Sequence, residues 1–492
     1  MKFPIFILIM VFVLLFSPVL SFSLEKSAKG DLLSGRLVSG HIDMSNGGLS
    51  YQTFKFKVSS DVFAVKITVS NSPADLDVFI KKGSEIENYD NVDYSSTQDA
   101  YNESLLISRL SELPLEDGTY YLDVSYQRDT LPVINGKRSA DISYNIELDL
   151  QKYKVKDTIH PGVSAEYELS PRDGMAGLFA LKIPERTNSF RIDLYNTNAD
   201  LDLMVAYNNK KITKNNNDFL RDSLLGRETL CVNGIDGGQV KPGIYYILVF
   251  DQISNDHPVD FSILSSFGNE TPKELAEIPR FPTASDEMQN ALMSTVEIIG
   301  NAAKGSGTLV SSSGYVITNW HVIEDFTLAV SDNIYVAVNL SNELPPLELF
   351  KADLIDYSVE KDLALLHISS GLYDNPIPIN YNFPYFTLGN TSILKLGQPL
   401  TYLGYPKIGG TGSRASISLT RGIVSGFEKL NGSLFIKTDA EINSGNSGGA
   451  AINSFYELVA FPTSTIEENA GQLGYLIPVS MIPEEWYRFI GR

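Results

Sequence analysis

Along the first half of the chain, apolar and polar residues alternate in short runs. Lysines separate Phe54, Phe56 and Val58, while Lys66 and Thr68 separate Val65, Ile67 and Val69. A period of two lines the apolar side chains along one face of a half-buried strand. Clusters of Asn, Asp, Gly and Ser punctuate these runs as turns, and helical periodicity is scarce. The pattern predicts antiparallel sheet.

The same pattern occurs twice. Displaced by 125 residues, Phe54, Phe56 and Val58 fall on Phe179, Leu181 and Ile183, and Val65, Ile67 and Val69 on Phe190, Ile192 and Leu194. Asp75-Leu76-Asp77 falls on Asp200-Leu201-Asp202, Glu103 on Glu228, and Gly118-Thr119-Tyr120-Tyr121 on Gly243-Ile244-Tyr245-Tyr246. One offset held without a gap marks two copies of a domain. Each copy, 24–152 and 153–268, is expected to form a β-sandwich. Pro272, Pro279 and Pro282 then interrupt a polar stretch, so 269–287 reads as an extended linker. A short helix is expected beyond it, capped by Ser285 with Glu287 in its first turn.

From Met293 short strands return, and residues 288–492 carry the candidate chemistry. His321 follows the strand-like Tyr315-Val316-Ile317-Thr318, at the start of a short helical turn. Asp362 precedes the apolar Leu363-Ala364-Leu365-Leu366, where its carboxylate could be buried and aimed at an imidazole. Ser447 stands in Asn443-Ser444-Gly445-Asn446-Ser447-Gly448-Gly449. Glycines there permit a tight turn and close approach of a substrate carbonyl. The N–H groups of Gly445 and Ser447 could converge on an oxyanion. Taken singly, each feature has an ordinary structural explanation. In the order His, Asp, Ser, separated by 41 and 85 residues, they form the constellation of a serine nucleophile with its general base. Nothing in the chain resembles the α/β-hydrolase elbow of an esterase, and no HExxH or histidine cluster argues for a zinc peptidase, so no metal or other cofactor is expected for catalysis.

Two resemblances follow from these residues. The aromatic-x-apolar strand, the Asp-Leu-Asp and the Gly-x-Tyr-Tyr of each copy resemble the bacterial pre-peptidase C-terminal domain, a jelly-roll-like module. That likeness implies a possible extracellular polymer or protein ligand. It also raises Ca²⁺, for which Asp75, Asp77, Glu103, Asp200, Asp202 and Glu228 could supply oxygen ligands, although Asp before a strand is often only a turn former. Thr318-Asn319-Trp320-His321-Val322, Asp362-Leu363-Ala364-Leu365-Leu366, Arg421-Gly422-Ile423-Val424-Ser425 and the run from Thr438 to Gly449 resemble the HtrA/Deg branch of trypsin-like peptidases. This implies two six-stranded β-barrels, with His321, Asp362 and Ser447 in the cleft between them and polypeptides as substrates. The whole chain is thus expected to be all-β. That branch usually carries a PDZ domain after the peptidase; here the sequence ends at Arg492. By the same likeness Phe461, Pro462 and Thr463 fall in a strand beside the first specificity pocket. Glu441 could favour basic side chains or face solvent, and Asp439 is expected to brace its loop. The glycines of Tyr405–Ser413 suggest a segment that orders on activation. An adhesion protein with a latent peptidase domain is the competing expectation.

Composition adds location. Lys2 precedes a nearly continuous apolar run from Phe3 to Phe22, and Ser21 and Ser23 suit cleavage before Leu24. Residues 1–23 read as a secretory signal, also long enough to be retained as a membrane anchor. The chain is therefore expected to be secreted or extracytoplasmic, and membrane-bound only if that segment is kept. A net charge of −20 argues against nucleic acid. Cys231 is the sole cysteine, so no intramolecular disulfide forms; its apolar neighbours predict a buried strand position. His367 reads as structural.

Overall fold

A computed structural model describes residues 25–45, 50–97, 101–128, 131–134, 136–171, 174–234, 238–251, 257–324, 331, 333–342, 344–406, 416–430, 433–443, 445–463 and 474–491. The expected signal segment 1–23, position 444 and most of the glycine-bearing 405–413 segment lie outside these residues. The chain divides into two compact units, Met1–Lys152 and Tyr153–Arg492. No helix among the described residues is long and apolar enough to cross a membrane.

The first unit is a sandwich of two sheets. One orders its strands Glu25–Asp31, Ser50–Val58, Gly118–Ser125, Asp77–Lys82, Tyr94–Ser96; the other Arg36–Asp43, Asp141–Lys152, Val62–Ser70, Glu103–Ser108. The second sandwich repeats this order with Val155–Ile159, Ala176–Ile183, Gly243–Asp251, Leu201–Tyr207, Phe219–Arg221, and Ala165–Leu169, Val259–Phe267, Ser189–Tyr195, Glu228–Asn233. The register repeats as well. Phe54 faces Leu122 and Phe56 faces Tyr120, as Phe179 faces Ile247 and Leu181 faces Tyr245. Gly118 and Gly243 open equivalent strands at φ of 148° and 149°. The alternating residues thus fill the two cores, as a period of two requires.

Two closed six-stranded barrels follow in the second unit. The first runs Thr295–Ile299, Lys304–Leu309, Tyr315–Thr318, Leu363–Gly371, Leu347–Ser358, Ile334–Val338; the second Pro399–Gly404, Ser418–Leu430, Ser433–Thr438, Gly474–Pro478, Leu458–Thr463, Ala450–Ile452. A shared core of Val310, Ile317, Leu363 and Leu365 from the first barrel and Leu403, Ile452, Phe461 and Ile477 from the second joins them. Trp486, in the terminal turn Glu484–Phe489, also packs there, and its Nε1 donates to Asp356 at 2.8 Å.

Several expectations are corrected in detail. The expected linker is packed: Lys273–Ala276 forms a helical turn with Leu275 buried, and Ile278 and Phe281 lie on the first barrel's core. Apolar side chains among the prolines anchor what polar composition alone would leave extended. The next helix, Glu287–Ser294, is capped by Asp286, whose carboxylate accepts from the Gln289 N–H at 2.8 Å; Ser285 only donates to that carboxylate. Cys231 lies in a strand as expected but is only half-buried, because Leu230 and Val232 take the core-facing positions. The His367 ring lies 4.5 Å from the Tyr315 ring, tilted by 36°.

The second sandwich is joined to the first barrel by apolar and polar contacts. Leu224 and Leu225 pack with Ile299, Ala337, Leu372, Tyr335 and Tyr373. Glu348, fully buried, accepts from the N–H groups of Gly226 at 2.7 Å and Arg227 at 3.1 Å. Lys304 pairs with Asp200 at 3.1 Å, and the Arg191 guanidinium lies 5.2 Å from the Tyr373 ring centre. Burial, then Asp200, Glu228, Asp222 and Asp251, pushes Asp202 up from its ordinary 3.8 to about 8. Burial likewise raises Glu228 from 4.5 to about 7, with Asp200 and Glu348 adding to the rise and Ser223 opposing it.

Two outcomes follow for the full-length chain. The folded state holds protons on Asp202 and Glu228 that the unfolded chain releases, so their contribution is complete below the ordinary carboxyl range. It is lost as pH rises through about 7 to 8. The thermal unfolding midpoint of the chain should therefore fall steadily between about pH 5 and about pH 9, and Asp202→Asn should flatten that slope. Glu348→Ala strands the buried Gly226 N–H and the part-buried Arg227 N–H and should cost about 2–3 kcal/mol in denaturant unfolding.

Candidate active site

The strand Tyr315–Thr318 ends at Asn319, and the chain turns into the helical segment Trp320–Ile323 carrying His321. Asn319 is fully buried, and its Nδ2 donates to the Asp362 carbonyl at 2.7 Å. That bond fixes the end of one strand to the turn that begins another. Trp320 stacks on Tyr357 at 4.2 Å and 21°, closing the same corner. Asp362 occupies the turn at φ 50°, a left-handed conformation that Asp tolerates better than most residues. Its carboxylate lies 2.9 and 3.0 Å from His321 Nδ1, and one oxygen also accepts the His321 N–H at 3.1 Å. The Thr463 hydroxyl donates to the other oxygen at 2.9 Å. A carboxylate facing Nδ1 selects the tautomer with its proton there, leaving Nε2 as the acceptor.

Ser447 comes from the second barrel, just before Ala450–Ile452. Its turn bends at Gly445, φ 100°, and at Gly448, φ 79°. At Gly448 a Cβ would stand 2.3 Å from the Ser306 carbonyl and 2.5 Å from Thr318 Oγ1, so only glycine fits. The first barrel's strand Lys304–Leu309 grips this turn from one side. Ser306 N–H donates to the Ser447 carbonyl at 2.8 Å, Ser306 Oγ to the Gly445 carbonyl at 2.7 Å, and Thr308 Oγ1 to the Gly448 carbonyl at 3.0 Å. From the other side the Gly448 N–H donates to the Pro462 carbonyl at 3.0 Å. Within the turn, Asn446 N–H donates to the Asn443 carbonyl at 3.0 Å. His321 and Asp362 on the first barrel and Ser447 on the second thus border the junction where strand Lys304–Leu309 meets the glycine turn.

The other expected site residues divide by role. Phe461 is wholly buried in the core shared by the barrels, so its side chain is a packing element and not a substrate contact. Pro462 contributes its carbonyl to the serine turn, and the Thr463 hydroxyl is bound to Asp362. Glu441 is exposed. The Asp439 carboxylate accepts from Ile423 N–H at 2.7 Å, bracing its loop. Sequence reasoning missed Ser306 and Asn319. Ser306 sits in Gly305-Ser306-Gly307, a small-residue run that signals close packing without naming its partner.

Among the acidic residues considered for Ca²⁺, several bond to protein groups. Asp75 pairs with Arg128, Asp200 with Lys304, and Glu103 bonds to Ser96. Among the described residues no three His, Cys, Asp or Glu side chains converge as a metal site.

Residues 305–460 match the trypsin-like peptidase domain, and residues 50–125 the bacterial pre-peptidase C-terminal domain. A probable periplasmic serine endoprotease DegP-like from Halomonas elongata is 31% identical over 186 residues, covering 36% of this chain and 33% of that protein. The serine endoprotease DegS of Haemophilus influenzae is 33% identical over 187 residues, covering 36% and 47%. DegS of Escherichia coli is 34% identical over 183 residues, covering 36% and 45%. The aligned part thus spans between a third and a half of these relatives. In its two barrels this all-β chain is similar to HtrA-type trypsin-like serine endoproteases, and in its first sandwich to the pre-peptidase C-terminal domain.

Proposed function

We propose that the chain is an extracytoplasmic serine endopeptidase that cleaves polypeptides through an acyl-enzyme on Ser447. The observation that carries the reading is the His321 ring held at Nδ1 by the Asp362 carboxylate, with Ser447 presented on a glycine turn. With its Nδ1 proton bound to Asp362, His321 offers Nε2 as the base. As Ser447 Oγ attacks a peptide carbonyl, its proton passes to Nε2 and the carbonyl oxygen takes the negative charge. The N–H groups of Gly445 and Ser447 are the donors assigned to that oxygen. Collapse of the intermediate breaks the C–N bond, and His321 returns the proton to the leaving amine. Water, deprotonated by the same imidazole, then hydrolyses the ester and regenerates Ser447. Asp362 holds the tautomer and stabilises the imidazolium between these steps.

An extracytoplasmic site is supported by the signal-like segment 1–23 and by relatives described as periplasmic. The sandwiches are assigned to an extracellular polymer or protein.

The mature chain and its Ser447→Ala variant, each treated with a fluorophosphonate probe and an unfolded protein, test the reading. Labelling and cleavage are expected only in the parent. If the parent shows neither, the binding-protein reading takes its place. Asp362→Asn should lower kcat by about 10³–10⁴ by favouring the wrong tautomer. Thr463→Val removes one donor to Asp362 and should lower kcat by about tenfold with KM little changed, read from initial rates on a peptide substrate.

A further inference from the structure

We propose that Ser306 is a positioning residue for the oxyanion hole, its hydroxyl fixing the Gly445–Asn446 peptide and linking it to the chain at Tyr405. The inference rests on the peptidase reading above, and specifically on Gly445 N–H as an oxyanion donor.

Ser306 is fully buried between the two barrels' contributions to the site. Its Oγ does two things at once. It donates to the Gly445 carbonyl at 2.7 Å and accepts from the Tyr405 N–H at 2.9 Å. Its backbone is also engaged, the N–H with the Ser447 carbonyl at 2.8 Å and the carbonyl with Thr318 Oγ1 at 2.7 Å. One residue of the first barrel therefore grips the nucleophile turn at Gly445 and at Ser447.

The consequence lies in the peptide plane. Gly445 sits at φ 100°, and glycine rotates between alternative conformations at little steric cost. Nothing in the Gly445 side chain can hold its N–H in one direction, so its neighbours must. The Gly445–Asn446 plane is bonded at both ends: its carbonyl to Ser306, and its N–H to the Asn443 carbonyl at 3.0 Å. With that plane fixed, the direction of the Gly445 N–H depends only on the two torsions of Gly445 itself. Removing the Ser306 hydroxyl would free one end and leave a buried carbonyl without its donor.

The Tyr405 contact extends the role. Tyr405 directly follows the strand Pro399–Gly404 of the second barrel. At Gly404 a Cβ would stand 3.0 Å from Ser306 Oγ and 2.9 Å from Asn446 Oδ1, so the strand end is seated against both residues. A hydroxyl can accept from Tyr405 and donate to Gly445 together; a methyl can do neither. Ser306 thus makes the chain at 405 and the oxyanion turn share one hydrogen-bonded group.

The test uses the full mature chain, with kinetic constants expressed per site titrated by the fluorophosphonate. Ser306→Ala should lower kcat per titrated site by about 10- to 100-fold with KM within about threefold. A peptide boronate, whose adduct places an oxygen in the hole, should lose affinity by a factor close to the loss in kcat/KM. A purely structural role would reduce only the number of titratable sites, leaving kcat per site and boronate affinity at parental values; that result overturns the inference. If Ser306→Ala does not fold, Ser306→Cys decides. Its thiol keeps the size but donates weakly, so an intermediate kcat per site supports the inference and a parental one overturns it. A parent chain that neither labels nor cleaves removes the peptidase reading, and this inference with it; an active parent matched by its variants removes this inference alone.

Discussion

The site depends on how closely the backbone of the second barrel's serine turn approaches the strand Lys304–Leu309 of the first. At Gly448 the Ser306 carbonyl, Thr318 Oγ1 and the Asn319 N–H all stand within 2.9 Å of where a Cβ would be. No side chain larger than hydrogen fits without moving one barrel against the other. Because the gap is closed, the polar groups inside it must bond to each other and not to water. They do so through Ser306, Thr308, Thr318 and the carbonyls of residues 445, 447 and 448. The same contact that excludes solvent also sets the position of Ser447.

His321 and Asp362 are held by a second arrangement of this type, within the first barrel and reaching to the second. Asn319 joins the end of the His321 strand to the Asp362 carbonyl, while Thr463, from the second barrel, donates to the Asp362 carboxylate. Asp362 takes a left-handed conformation that only a well-supported turn keeps. The carboxylate accepts from a ring nitrogen, a backbone N–H and a hydroxyl, so its orientation is determined from three directions. Preorganisation of this kind lets an imidazole act without first rearranging its support.

Outside the site, the second sandwich is held on the first barrel through polar groups as well as apolar ones. Glu348 is buried completely, and its two backbone donors offset part of its desolvation. The cluster around Asp202 and Glu228 is different in kind, since burial there favours the protonated forms. Lys304, which pairs with Asp200, begins the strand that two residues later carries Ser306. The junction between sandwich and barrel and the serine turn are therefore built on one short strand.

Much of this was readable along the chain. Period-two alternation at Phe54–Val58 and Val65–Val69 determines strands because side chains alternate across a sheet, and the 125-residue repeat carries even the cross-strand register of Phe54 with Leu122 into Phe179 with Ile247. The spacing of His321, Asp362 and Ser447 among their motifs selected the three residues that border the barrel junction. What the chain could not disclose were relations between segments distant in sequence. Phe461 and Thr463 sit two residues apart on one strand; the first faces the shared core and the second the Asp362 carboxylate. Polar composition at 269–287 concealed Leu275, which packs with Tyr195 and Leu264 of the second sandwich, and Phe281, which packs on the first barrel's core; both become anchors only once those surfaces lie beneath them. Ser306 reads as one small residue in a strand, and only the fold brings Gly445, some 139 positions away, within hydrogen-bond reach. Local periodicity is decided by neighbouring residues. Which groups share a buried gap is decided only when the two barrels close.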